Sequence, residues 1–219
     1  MASRPKNLAP RPAPRLYLIT PRIADPSVFS EQLNSALDAG DVAAVLLRLA
    51  EADERTLINC VKALAPPVQG KGTALLLDGR PDLVARGGAD GAHLNDVADF
   101  TAALETLKPE RIAGAGGLVS RHDAMLAAER GADYVMFGEP DPAGKCPAFA
   151  AVEERVGWWA EVFEIPCVGY SESLSTISPL VAAGADFIAL DDAVWREPDA
   201  IAETIREACR YLRLPEPAT

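Results

Sequence analysis

The chain has 219 residues, 49% of them hydrophobic and 24% charged, which suits a domain with a sizeable core and excludes a disordered or fibrous protein. Its 21 Lys and Arg stand against 32 Asp and Glu, a net charge of -11. So negative a surface repels phosphate backbones and anionic lipid, which excludes nucleic acid and membranes as partners and leaves any phosphorylated ligand dependent on local cations or a metal.

Residues 1–15 contain four prolines and four basic residues and read as a flexible arm without the apolar stretch of a secretory signal. Residues 214–219 read as a flexible tail of the same kind, and 16–213 as a single domain. Strands are expected at Leu16–Thr20, Ala43–Leu47, Thr73–Leu77, Gly91–Leu94, Ile112–Ala115, Tyr134–Phe137, Cys167–Tyr170 and Phe187–Leu190. They are short continuous apolar runs, as in strands buried on both faces of a parallel sheet. The run Val42–Leu47 stops at Arg48, far short of the roughly 20 residues that span a bilayer. Helical patterns fill the gaps, among them Val28–Ala39, Leu57–Leu64, Ala124–Arg130 and Pro198–Leu212, the last with Pro in its first turn. A Gly-Ala-Asp cadence recurs at Gly88, Gly131 and Gly184, each time between a helix and a strand. Glycine there can take the left-handed conformation that ends a helix.

Eight strands alternating with eight helices imply an α/β protein of the (β/α)8 TIM-barrel class with eight parallel strands. An open doubly wound sheet would show a Gly-rich turn after its first strand, where this chain has Thr20-Pro21-Arg22. In a barrel, function sits at the C-terminal ends of the strands. That rule selects, among others, Arg22, Arg48, Asp78, Arg80, His93, Asp96, Asp99, Gly117, Gly138, Glu139 and Lys145 as candidates, with Glu172, Asp191 and Asp192 after the last two strands. Cys60, Cys146, Cys167 and Cys209 form no CxxC pair and read as reduced thiols of a cytoplasmic protein. Of the neighbouring Trp158 and Trp159, one is expected in the core and the other at a surface or oligomer contact; a homodimer is left open.

The segments LYLIT (16–20), VLLR (45–48), DGRPDL (78–83), ADGAHL (89–94), GADYVMFG (131–138) and AAGADFIAL (182–190) resemble, in order and spacing, the thiamine-phosphate synthases and the related TenI-type thiazole tautomerases. The resemblance runs from Leu16 to about Trp195. It implies a (β/α)8 barrel and a place in thiamin biosynthesis. The synthase reaction joins a hydroxymethylpyrimidine diphosphate to a thiazole phosphate and releases diphosphate with Mg2+ as helper; the tautomerase needs no metal. The implied ligand is thus a small phosphorylated molecule, held by Arg48, Arg80, His93, Lys145, Gly117 and Gly138, with Asp78, Asp96 and Asp99 as metal ligands.

The match has gaps. Leu46 and Ala50 stand where the family has glutamine and lysine after its second strand, and Gly79 falls at its metal-binding aspartate. Val119 replaces the tautomerase histidine, and Lys145 lies one residue out of register. Ser171-Glu172 replaces the glycine pair, and Asp192 the small residue, that cradle the thiazole phosphate. The expectation is a synthase-like protein with a degraded active site. Two alternatives stand beside it: a silent family member that binds a small molecule or protein, and a different metal-assisted enzyme using the acidic rim.

Overall fold

The computed structural model describes residues 12–213, so the expected tail 214–219 and the arm as far as residue 11 lie outside the described residues. Eight parallel strands close in sequence order into a barrel: β1 Arg15–Ile23, β2 Val42–Leu49, β3 Ala74–Asp78, β4 Gly91–Leu94, β5 Ile112–Ala115, β6 Tyr134–Phe137, β7 Cys167–Tyr170 and β8 Phe187–Leu190. The helices are α1 Pro26–Ala39, α2 Glu54–Gln69, α3 Pro81–Gly87, α4 Val97–Leu107, α5 Arg121–Glu129, α6 Phe149–Val162, α7 Ile177–Ala183, α8 Asp192–Trp195 and α9 Ile201–Tyr211. This is the expected (β/α)8 architecture. The expected last helix is divided into a 3-10 turn at Pro198–Ala200 and α9.

Alternation along the strands divides the core in two. Leu16, Leu18, Val45, Leu47, Leu75 and Leu77 face the helix layer. Tyr17, Ile19, Leu46, Leu76, Tyr134, Met136, Val168 and Tyr170 fill the barrel interior. Trp159 is fully buried in the outer layer, its indole N–H donating to the Ile165 carbonyl at 2.8 Å. Trp158 is half-buried, with the Arg121 guanidinium over its ring at 4.7 Å.

The Gly-Ala-Asp cadence has a second purpose besides ending helices. Gly88, Gly131 and Gly184 all have positive φ, at 82, 99 and 103°. The aspartate two residues on then stitches two strands together. The Asp90 carboxylate accepts the Leu75 N–H at 2.7 Å, that of Asp133 the Ala113 N–H at 2.7 Å, and that of Asp186 the Cys167 N–H at 2.9 Å. In return each aspartate's own N–H donates to the same residue's carbonyl. The bottoms of β3, β5 and β7 are thus tied to the segments entering β4, β6 and β8, which satisfies N–H groups at strand starts that would otherwise lack partners.

β1 and β2 run further than expected. Arg22 and Arg48 are not in loops but face each other as register partners at the ends of these strands. The Arg48 N–H donates to Thr20 Oγ1 at 3.0 Å, and its guanidinium also donates to the Thr20 carbonyl.

Candidate functional site

β5 reads Ile112-Ala113-Gly114-Ala115 and runs on into Gly116-Gly117. A side chain at Gly114 would meet the Tyr134 ring at 2.1 Å, and one at Gly116 would meet Glu139 Oε2 at 2.1 Å and His93 Nε2 at 2.3 Å. The bare inner face of β5 therefore lets side chains of β4 and β6 reach each other across it. They form a continuous polar chain. The Tyr17 and Tyr134 hydroxyls are 2.8 Å apart, Tyr134 Oη is 2.9 Å from His93 Nδ1, and His93 Nε2 is 2.8 Å from Glu139 Oε1. The Gly117 N–H donates to Glu139 Oε2 at 3.1 Å. Gly117 itself has φ 61°, and a Cβ there would strike the Asn95 carbonyl at 1.8 Å, so glycine is required.

Above this chain opens a cleft of about 790 Å3 at the C-terminal mouth, lined among others by Ile19, Leu46, Met136 and Tyr170. Four cations reach it: Arg22, Arg48, Lys145 and Arg155. Arg48 is 24% exposed and stands 4.0 Å from Asp192. Arg155 donates to the Leu118 carbonyl at 3.1 Å. Lys145 is presented by a self-supporting turn in which Asp141 Oδ1 accepts the N–H groups of Ala143 and Lys145, both at 2.9 Å; among the described residues it pairs with no acid. The acids of the cleft are Asp78, Asp96, Glu139, Asp141 and Asp191.

Of the nine residues that the resemblance implied as ligand or metal holders, Arg48, Asp78, Asp96, Gly117, Gly138 and Lys145 line this cleft. Three do not. Arg80 is held bidentately by Asp82, at 3.0 and 2.8 Å. Asp99 lies in the first turn of α4. His93, fully buried, lies beneath the cleft, bonded to Glu139 of its wall. The expected convergence of Arg48, Arg80 and Lys145 is therefore corrected to Arg48 and Lys145 with Arg22 and Arg155. Sequence reasoning reached Glu139 as a strand-end residue without giving it a role, and it passed over Tyr134. Their signal was the small-residue run of β5, between a strand carrying His93 and one beginning with Tyr134.

The ends of β7 and β8 are occupied by the chain itself. Asp191 Oδ1 accepts the Asp192 N–H at 2.6 Å, capping α8, and Asp191 Oδ2 accepts the Tyr170 hydroxyl. Ser171 is buried, bonded to the Ser173 carbonyl at 2.8 Å and to Thr176 Oγ1 at 2.6 Å. The carboxylate lining the cleft here is Asp191, whereas Asp192 and Glu172 are exposed.

Burial depresses the His93 pKa, but the charge of Glu139, its hydrogen bond and the charge of Asp78 outweigh it, and the net shift is upward. Burial also raises both Tyr17 and Tyr134, which stay protonated. The Cys146 thiol is pushed up to about 12 by burial, with Glu172 and Asp191 adding to it; it is a thiol and not a thiolate nucleophile at neutral pH.

Among the described residues no three His, Cys, Asp or Glu side chains gather to hold a metal ion. Asp78 and Asp96 share the cleft. Asp78 Oδ1 accepts from Asn95 at 2.8 Å, and Asp96 Oδ1 caps α4 through the N–H groups of Ala98 and Asp99 at 2.6 and 3.2 Å. One oxygen of each is left over. Magnesium is commonly held by one or two carboxylates together with substrate phosphates and water. The donor set fits an ion brought in with a diphosphate and does not fit a closed all-protein site.

The closed barrel, with a cleft of mixed charge at its C-terminal mouth, defines a (β/α)8 protein whose candidate site lies where such barrels carry theirs. The family model described as thiamine monophosphate synthase matches residues 16–194, and the chain belongs to that family. The thiamine-phosphate synthase of Rhodospirillum centenum is 43% identical over 202 residues, covering 91% of this chain and 98% of that protein. That of Hyphomonas neptunium is 39% identical over 205 residues, covering 90% and 93%. The solved thiamine phosphate pyrophosphorylase of Pyrococcus furiosus superposes with a TM-score of 0.76 at 26% identity, covering 90% of this chain and 95% of that one. No helix among the described residues is long and apolar enough to cross a membrane.

Proposed function

We propose that this chain is a thiamine-phosphate synthase-type protein that takes up a pyrimidine diphosphate in its C-terminal cleft but couples it to thiazole phosphate inefficiently. Membership of the family and the cleft cations Arg22, Arg48, Lys145 and Arg155 support the first half. Departure of diphosphate from a pyrimidine leaves a carbocation-like centre, so the leaving group must be neutralised. The four cations supply that charge. Asp78 and Asp96 would hold Mg2+, which when bound would add to it.

A single observation carries the second half: Asp191 caps α8 and accepts the Tyr170 hydroxyl. The resemblance puts the thiazole phosphate at this place, against backbone N–H groups. Here a carboxylate already holds the N–H, and a phosphate beside it would meet like charge. At an effective dielectric near 20, two such charges about 4 Å apart repel by roughly 4 kcal/mol.

The test is calorimetric titration with thiazole phosphate, paired with an assay of thiamine phosphate formation from both substrates with Mg2+. The wild type should show no micromolar binding of thiazole phosphate, and Asp191→Ser should gain tenfold or more in affinity, about 1.4 kcal/mol. Micromolar binding by the wild type, or turnover in the common range of about 1 to 1,000 per second, would return the chain to ordinary synthase. Failure of the pyrimidine diphosphate to bind at all would leave a silent family member.

A further inference from the structure

Glu139 is a well-protected carboxylate of the cleft, 12% exposed, and its two oxygens are held by different donors. His93 Nε2 lies 2.8 Å from Oε1, and the Gly117 N–H donates to Oε2 at 3.1 Å. A carboxylate has about four acceptor positions, two on each oxygen. Two are used by the protein, which leaves one on each oxygen of a residue that lines the cleft.

The support holds in either charge state of His93. With the ring neutral and protonated on Nε2, Tyr17 donates to Tyr134, Tyr134 to Nδ1, and Nε2–H to Glu139, so that every donor points along the chain to the carboxylate. With the ring charged, Nδ1–H donates to Tyr134 and only two hydroxyls rotate; Nε2–H still donates to Glu139. The carboxylate is thus a fixed anion in a cleft whose other walls include Ile19, Leu46, Met136 and Tyr170. Apolar and aromatic walls suit a flat ring. Two free acceptor positions on one carboxylate suit two parallel N–H donors. The cations Arg22, Arg48, Lys145 and Arg155 suit an anionic arm on the same molecule.

The geometry points to Glu139 as a specificity-determining residue that selects a flat amino-substituted nitrogen heterocycle bearing a diphosphate, through the paired N–H groups of its ring-protonated form. His93 is the positioning residue, and Tyr134 with Tyr17 orients His93. This assignment rests on the pyrimidine diphosphate reading above and adds what part of the ring is read. A ring with a carbonyl in place of the amino group would set an acceptor against the carboxylate, and a site built for a donor rejects such an analogue strongly.

The experiment compares three probes by calorimetry: the aminopyrimidine diphosphate, its oxo counterpart and inorganic diphosphate. The wild type should prefer the amino compound over the oxo compound at least tenfold. Glu139→Gln should reduce that preference below threefold while inorganic diphosphate binds no more weakly. A purely structural role would instead weaken all three probes together. A second measurement needs no variant. The chain has two histidines, so 15N NMR resolves His93 Nε2, which should shift with the amino compound and not with the oxo compound, while His122 stays in place. Binding of both pyrimidines within threefold, or an undiminished preference in Glu139→Gln, would overturn the assignment alone. Binding of none of the three probes would overturn it together with the proposed function.

Discussion

His93 and Glu139 show how a buried polar pair can be recognised by what makes room for it. Both side chains fit only because residue 116 has no Cβ, and the ring stacks on Tyr134 with centroids 5.6 Å apart. Removing one partner of such a pair commonly costs about 3–5 kcal/mol. The pair also carries a pH dependence of definite sign. The folded pKa of His93 lies above its ordinary value of 6.5, so the folded state binds the proton more tightly than the unfolded chain does. The stability this contributes is present in full below pH 6.5 and is lost as pH rises through the higher folded value. Urea unfolding of the wild type across neutral to alkaline pH should show that loss. His93→Gln should abolish this component of the pH profile; an unchanged profile in that variant would show that His93 does not gain a proton on folding.

At the scale of elements, each Gly-Ala-Asp turn joins a helix stop to a strand tie. The glycine turns the chain out of the helix, and two residues later a carboxylate closes the bottom of the neighbouring strand pair. Leu75 and Ala113, whose N–H groups are held this way, are completely buried. An unsatisfied buried donor costs about 1–3 kcal/mol. Asp90→Ala should therefore lower unfolding stability by about that amount, with an unchanged denaturant slope, and Asp90→Asn should lose less because it keeps an acceptor oxygen. A loss below about 0.5 kcal/mol in the alanine variant would mean that the tie adds nothing to the backbone ladder. α8 shows the same logic at the opposite end of the barrel, where the Asp191 carboxylate caps a helix of only four residues.

Across the whole molecule, the charge of -11 sets a long-range field opposed to the local cations of the cleft. A polyanion feels the field first, whereas Arg48 and Lys145 act only within the cleft they line. The chain should pass through a heparin column at low salt and be held by an anion exchanger at pH 8. Retention on heparin would reveal a basic surface large enough to overcome the net charge.

Much of this was legible in the order of residues. Short apolar runs, helix periodicity and the repeated Gly-Ala-Asp determined the barrel, because burial on both faces and the left-handed turn each restrict residue type locally. The barrel rule then placed the site at the mouth, and Arg48, Asp78, Asp96, Gly117, Gly138 and Lys145 all reach it. What only the tertiary structure decided is which side chains meet. Tyr17 and Tyr134 are 117 positions apart in the chain, and His93 and Glu139 come together only because β5 leaves the space between their strands empty. Arg80 carries the charge expected of a ligand residue, yet its neighbour Asp82 takes it. Spacing along a chain sets the face on which a residue lies; for Tyr17, His93 and Glu139 the partner is set by closure of the barrel.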